Sequence, residues 1–182
     1  MQMKLPSNFE LDRYGLHVRL VREEDAEFIL KLRIDPQNAR YLGKTDNDVN
    51  KQVAWIREYK KREAEAKDYY FIFYKENSPI VLCRLYNIDW THLTYTSGSW
   101  VSVSGMDYES VMTCSIIMGE IAQDILGLLV DIYDVRKGNT QVLNFHRKIV
   151  CAMQYGETEL DYLFISTPET RKKCRLKKLL GL

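Results

Sequence analysis

The segment LGLLVDIYDVRKGNTQVLNFHRKIV, residues 126–150, decides the architecture. Residues 128–135 are short, apolar and partly β-branched, which suits a buried strand. Arg136, Lys137 and Gly138 break it. Asn139 follows, a good helix N-cap because its side-chain oxygen can accept an N–H of the first turn. Val142, Leu143, Phe145, Ile149 and Val150 then recur at roughly helical spacing. A strand that ends where a helix begins is a place where α/β proteins hold ligands.

Working back from this unit, residues 110–125 read as a helix with Met112, Ile116, Gly119 and Ala122 on one side. Residues 104–109 (SGMDYE) are a loop. Before it lie three strands: an aromatic run at 69–75 (YYFIFYK), a partner at 80–88 across the turn residues 76–79, and a third at 95–103. Residues 16–20 alternate as a first strand, preceded by a lead-in at 1–13. Glu23, Glu24 and Asp25 suit a helix start that Pro36 ends. A short helix is expected at 38–42 and a longer one at about 49–66, capped by Asp46, Asn47 or Asp48. After the central unit, 151–156 and 159–165 read as two final strands. The basic tail at about 168–182 either docks through its leucines, stays solvated, or meets an anionic surface. The fold class is therefore mixed α+β: one domain over 1–182, with a mostly antiparallel sheet and helices on both faces.

Composition narrows the function. A chain of 182 residues with 46% apolar and 28% charged residues buries an ordinary core. A net charge of +1 gives no reason to expect nucleic acid as the partner. No apolar run spans a bilayer, and residues 1–15 lack the hydrophobic centre of a secretory signal, so a cytoplasmic protein is expected. Cys83, Cys114, Cys151 and Cys174 are scattered without a C-x-x-C pair, which points to reduced thiols and no metal.

The strand, Asn139 and the helix after it resemble the GNAT acetyltransferase family, whose helix commonly reads N-x-x-S-x-x-L-Y-x-K-x-G-F. Asn139 and Lys148 match. His146 stands where the family usually has Tyr, and Val150-Cys151 replaces Gly-Phe. The wider chain, about 16–166, is similar to the branch that acetylates ribosomal-protein N-termini, antibiotics and sugar amines. The resemblance implies a sheet splayed between the strands at 95–103 and 128–135. The pantetheine arm of acetyl-CoA, the co-substrate, lies in such a gap against the backbone of Trp100, Val101, Ser102 and Val103. Pyrophosphate sits on the loop and helix start at Gly105, Tyr108, Ser110 and Val111.

The loop departs from the family pattern: it has a single glycine, and Asp107 and Glu109 stand where phosphate charge is expected. Those carboxylates are also what an unoccupied helix start prefers. His146 as imidazolium would protonate the departing thiolate, or else it is a helix residue packed beside Phe145. Asn139 bonds the pantetheine or simply caps its helix. Asp89 is the candidate general base, and Arg84 and Tyr86 are candidates to line the acceptor pocket. The function expected is acetyl transfer to a primary amine, a small amine or amino sugar first and a protein N-terminus next, by a monomer or homodimer. The alternative is a binding protein of the same fold that has lost acyl transfer.

Overall fold

The computed structural model describes residues 4–182. Part of the expected lead-in is a strand: β1 (Glu10–Arg13) pairs antiparallel with β2 (Leu16–Leu20). Residues 1–3 of that lead-in lie outside the described residues. Leu16, Val18 and Leu20 are buried while His17 and Arg19 are not, as the alternation requires. The acidic run 23–25 forms a 3₁₀ turn leading into α1 (Ala26–Ile34). Its Asp25 accepts both terminal nitrogens of Arg19 and the Arg22 N–H, all at 2.8 Å.

Pro36 does more than end α1. It opens the short helix α2 (Pro36–Ala39), two residues before the one expected, because its missing N–H costs nothing at a helix start. Asp48 supplies the cap of α3 (Val49–Ala64), accepting the N–H groups of Asn50 and Lys51. Then come β3 (Tyr69–Lys75), β4 (Ser78–Asp89) and β5 (Thr94–Ser102), an antiparallel meander. α4 (Tyr108–Glu120) continues as a π-helical turn, Ile121–Ile125, into β6 (Val130–Arg136). α5 (Thr140–Phe145) likewise continues as a π-helical turn, His146–Val150. β7 (Met153–Glu157), β8 (Asp161–Ser166), α6 (Pro168–Arg171) and α7 (Leu176–Leu180) complete the chain.

The strands form one sheet in the order β1-β2-β3-β4-β5-β6-β8-β7, in which only β5 and β6 run parallel. Five successive residues of YYFIFYK, Tyr69 to Phe73, are buried because both faces of the sheet are covered. Tyr70 and Ile72 pack with Ile29, Ile56 and Tyr59 of α1 and α3. Tyr69, Phe71 and Phe73 pack with Ile117 and other residues of α4 on the opposite face. A smaller core of Tyr133, Val135, Leu143 and Phe164 lies beneath α5.

The basic tail docks. Leu176 is buried, and Arg171 donates to the carbonyls of Leu129 (2.6 Å) and Ser166 (3.3 Å). Glu120, near the end of α4, gathers Arg13 Nε (2.5 Å), the Tyr14 hydroxyl (2.8 Å) and Lys177 Nζ (2.7 Å). Both extremes of the described chain thus meet on one helix. Phe71 is fully buried at the centre of the larger core, so Phe71→Ala is expected to cost about 3–5 kcal/mol by urea denaturation.

Candidate active site

Parallel strands need a crossover, and α4 provides it, entering from the β5 end and leaving at β6. The two strands pair only at Thr94 with Val130 and Tyr95 with Asp131, then diverge. The divergence agrees with the splay that the family resemblance implied. At the fork the Asp131 carboxylate takes the place of the next ladder bond: Ser97 donates its N–H (2.8 Å) and its hydroxyl (2.6 Å) to the two oxygens. A bulge at Ser99 and Trp100 interrupts the β4–β5 register just beyond, with Ser99 at φ +54. From there to Ser102 the outer edge of β5 has no β6 partner.

A cavity of about 550 Å3 opens along this edge, walled by α4 on one side and α5 and the tail on the other. Four of the residues singled out from sequence meet in it: Trp100, Tyr108, Val111 and His146. Gln141 donates from its amide to the Tyr108 hydroxyl, joining the first turns of the two helices that wall the cavity. Asp131 and Tyr133, which the sequence reading passed over as ordinary strand residues, also face it. The available signal was a carboxylate two residues from a tyrosine, on the face of the strand that alternation makes the buried one.

Three charge states govern the chemistry. Burial pushes the Asp131 carboxyl up to about 6, against the two Ser97 hydrogen bonds that favour its anion. Burial also lowers His146 to about 4, so its ring is neutral at pH 7, which corrects the expectation of an imidazolium. The ring is half-buried among Tyr133, Phe145 and Phe164, and its Nδ1 shares a 2.7 Å hydrogen bond with the Tyr133 hydroxyl. In either tautomer the pair keeps one hydrogen in reserve, on Nε2 or on the phenol oxygen. The third group is Asp107, held down to about 2 chiefly by the Ser110 N–H (2.7 Å), which it caps.

That cap settles the local geometry of the loop. Gly105 turns at φ +78, Asp107 also takes the Ser110 hydroxyl (2.9 Å), and Lys75 reaches Asp107 (3.2 Å) and Ser110 (2.9 Å). The carboxylate therefore occupies an N–H group expected to face pyrophosphate. Ser110 is buried in this network and, like Gly105, does not line the cavity. Val101 and Ser102 belong to the β4–β5 ladder, and the Val103 N–H bonds the Ile80 carbonyl (3.0 Å). Asn139 accepts the Val142 N–H of its own helix and lies outside the cavity lining, so the structure favours the capping reading.

Asp89 is displaced from the site. Its carboxylate bonds the Thr91 and His92 N–H groups and the His92 ring (2.7 Å) in an exposed turn, and its pKa is lowered, chiefly by that ring. A carboxylate so placed neither faces the cavity nor holds a proton well, which corrects its assignment as the base. Arg84 and Tyr86 point to the opposite face of the sheet. Arg84 bonds Asp68 (2.5 Å), while Tyr86 lies against Gly98, where an added Cβ would sit 2.9 Å from its hydroxyl. Among the described residues no group of three or more His, Cys, Asp or Glu is placed to hold a metal ion. No described helix is long and apolar enough to cross a membrane.

No protein-family profile matches the chain, and no curated protein matches it in sequence. Solved structures do. FdhC, a nucleotide-linked sugar GNAT, superposes with a TM-score of 0.83 at 30% identity, over 95% of this chain and 98% of that one. The ribosomal-protein-S5-alanine acetyltransferase from Vibrio fischeri gives 0.74 at 11% identity, over 88% and 97%. The spermidine N-acetyltransferase from Vibrio cholerae in complex with CoA and spermine gives 0.74 at 14%, over 88% and 99%. These two share the fold alone. With the splayed parallel pair, the cavity beside it and the likeness to FdhC together, the chain belongs to the GNAT N-acetyltransferase superfamily.

Proposed function

We propose that this protein transfers an acetyl group from acetyl-CoA to the primary amine of a sugar carried on a nucleotide. The observation that carries the proposal is the unpaired β5 edge beside a 550 Å3 cavity that holds Asp131, Tyr133 and His146. The sugar class rests on likeness to FdhC at 30% identity over nearly the whole chain. Acetyl-CoA would supply the activated acyl group as its thioester.

The fit to that co-substrate is good along the arm and weaker at the phosphates. An edge strand lacking a neighbour suits an extended, amide-bearing chain. The backbone N–H groups freed at the Ser99–Trp100 bulge are the donors available to a carbonyl at the fork. At the loop, Asp107 must yield the Ser110 N–H, with Lys75 as the nearest cation, before a phosphate can bind there.

In the transfer the amine nitrogen bonds the acyl carbon, the carbon–sulfur bond breaks, and a proton moves from nitrogen to sulfur. Asp131, ionised above about pH 6, accepts the amine proton. The neutral Tyr133–His146 pair gives its reserve hydrogen to the departing thiolate. Apolar ring packing around His146 keeps that hydrogen bond in a setting of low polarity.

A second reading, a coenzyme-free binding protein, is favoured by the Asp107 cap alone. Calorimetric titration of acetyl-CoA separates the two. Micromolar binding supports transfer, and silence from a folded sample at high coenzyme removes it. His146→Ala and Tyr133→Phe should each lower kcat by about 10²-fold with little change in coenzyme affinity. Unchanged kcat in both would remove the pair from the chemistry.

Asp131→Asn keeps an acceptor for the Ser97 N–H and should also lower kcat. Its stability should move the other way. The folded protein binds the Asp131 proton more tightly than the unfolded chain does, so wild type loses stability as pH rises from about 4 through about 6. Asp131→Asn escapes that loss and gains up to about 3 kcal/mol over wild type at pH 7, with no such gain at pH 3.5. Urea denaturation of both proteins at the two pH values checks it.

A further inference from the structure

A second pocket, of about 240 Å3, lies on the opposite face of the sheet from the large cavity, between α1, α3 and the segment joining α2 to α3. Its lining is unlike a core. Four cations, Arg33, Lys44, Lys51 and Arg84, face it against one carboxylate, Asp46. Two further side chains there are more than nine-tenths buried yet polar. The Tyr70 hydroxyl, in a residue only 1% exposed, has no hydrogen-bond partner among the described residues. Gln52, 7% exposed, makes no side-chain hydrogen bond among the described residues. A buried donor without a partner is costly, so the Tyr70 hydroxyl, turned with the Gln52 amide toward one space, marks a place shaped for a ligand.

The charges are only partly spent within the protein. Lys51 pairs with Asp46 at 2.8 Å. Arg84 gives its Nε and one Nη to Asp68, leaving the other Nη with both hydrogens free. Arg33 donates its Nε to the Thr45 hydroxyl (3.0 Å), and no other hydrogen bond of its guanidinium is seen among the described residues. Lys44 is exposed and has no ion-pair partner among them. Burial keeps the Tyr70 phenol protonated, up to about 12, with Arg33 and Arg84 working against that push. Every free group is a donor, and most of them are cationic. The chemistry calls for a multiply charged oxyanion.

The shape selects among such anions. Trp55 lies at the rim, but one ring face stacks on Tyr59 while Arg84 and Arg62 lie within 5.5 Å of its centroid, so a nucleobase has no face to use. The volume is too small for a whole nucleotide and ample for two phosphates. A route leads from here to the reaction centre. The Arg84 guanidinium lies 4.8 Å from the Tyr86 ring, Tyr86 lies on Gly98, and Ser97 beside it holds Asp131 at the fork. From β4, which carries Arg84, to β6, which carries Asp131, is two strand spacings, about 10 Å, a span that a hexose with its phosphate link can bridge.

We infer that this basin binds the diphosphate of the acceptor, a nucleoside-diphosphate-linked amino sugar, and so orients the sugar amine toward the fork. The inference rests on the acceptor class proposed above. Arg33 and Arg84 grip the phosphates through their guanidinium forks, Tyr70 and Gln52 donate from the floor, and Lys44 and Lys51 add charge at the mouth. The nucleoside then lies outside the basin, and the coenzyme keeps the other face to itself.

The test titrates UDP-glucose and inorganic pyrophosphate into the full chain, alone and saturated with CoA. Both probes should bind in either state, more weakly as salt rises. Lys44→Glu alters an exposed side chain and Arg33→Ala a contact to one threonine. Each should weaken both probes by about 10-fold or more while leaving CoA affinity unchanged. Tyr70→Phe removes an unpartnered hydroxyl, so it should melt at or above the wild-type temperature yet bind UDP-glucose about 3-fold or more weakly. Equal affinity in all three variants, or binding that CoA abolishes, overturns the inference. Acetyl-CoA binding with no probe binding overturns the basin alone. Probe binding that the variants weaken, in a protein that ignores acetyl-CoA, upholds the basin and overturns the transferase reading.

Discussion

The larger cavity depends on one short parallel contact. β5 and β6 pair over two residue pairs and no further, and the Asp131 carboxylate takes the Ser97 N–H that the ladder would have used next. Had the pairing continued, β6 would have closed onto β5 and left no groove. The interruption puts a desolvated carboxylate, an unpaired strand edge and a bulge within a few residues of one another. Each is unfavourable in isolation, and the sheet and two helices around them hold all three in place.

The architecture was largely legible from pattern. Strand alternation at 16–20, the aromatic run at 69–75 and the Asn139 cap all correspond to observed elements, because each is a local signal that burial reinforces, whereas the turn expected at 76–79 is only Glu76–Asn77, since Ser78 and Pro79 already pair within β4. Residues 10–13 escaped notice because an exposed edge strand carries no alternation to read. Pro36 was taken as a stop when it is also a start, since the same lack of an N–H serves both roles.

The site was less legible because its geometry depends on neighbours distant in sequence. His146 was found through the likeness of its helix to a known motif, but its charge state is set by burial among rings from three elements. Asp89 looked well placed at a strand end, yet a histidine three residues on captures it. Asp131 and Tyr70 appear ordinary in a strand. Only the fold reveals that one stands at a fork and the other faces an empty space. The two pockets also divide the sheet by chemistry, with the larger mostly apolar in its walls and the smaller cationic.

The docking of the tail on α4 bears on how the protein is made. Arg171, Cys174, Leu176 and Lys177 complete the wall of the larger cavity, and they follow every strand in the chain. Synthesis runs from the amino end, so the meander β1–β5 and its two cores can assemble on the ribosome while the cavity still lacks a side. The nascent chain therefore passes through a stage with a formed sheet and an open groove. A chain that stalls before residue 171 exposes apolar surface that a finished one encloses as the wall of the larger cavity, and quality control can recognise that surface.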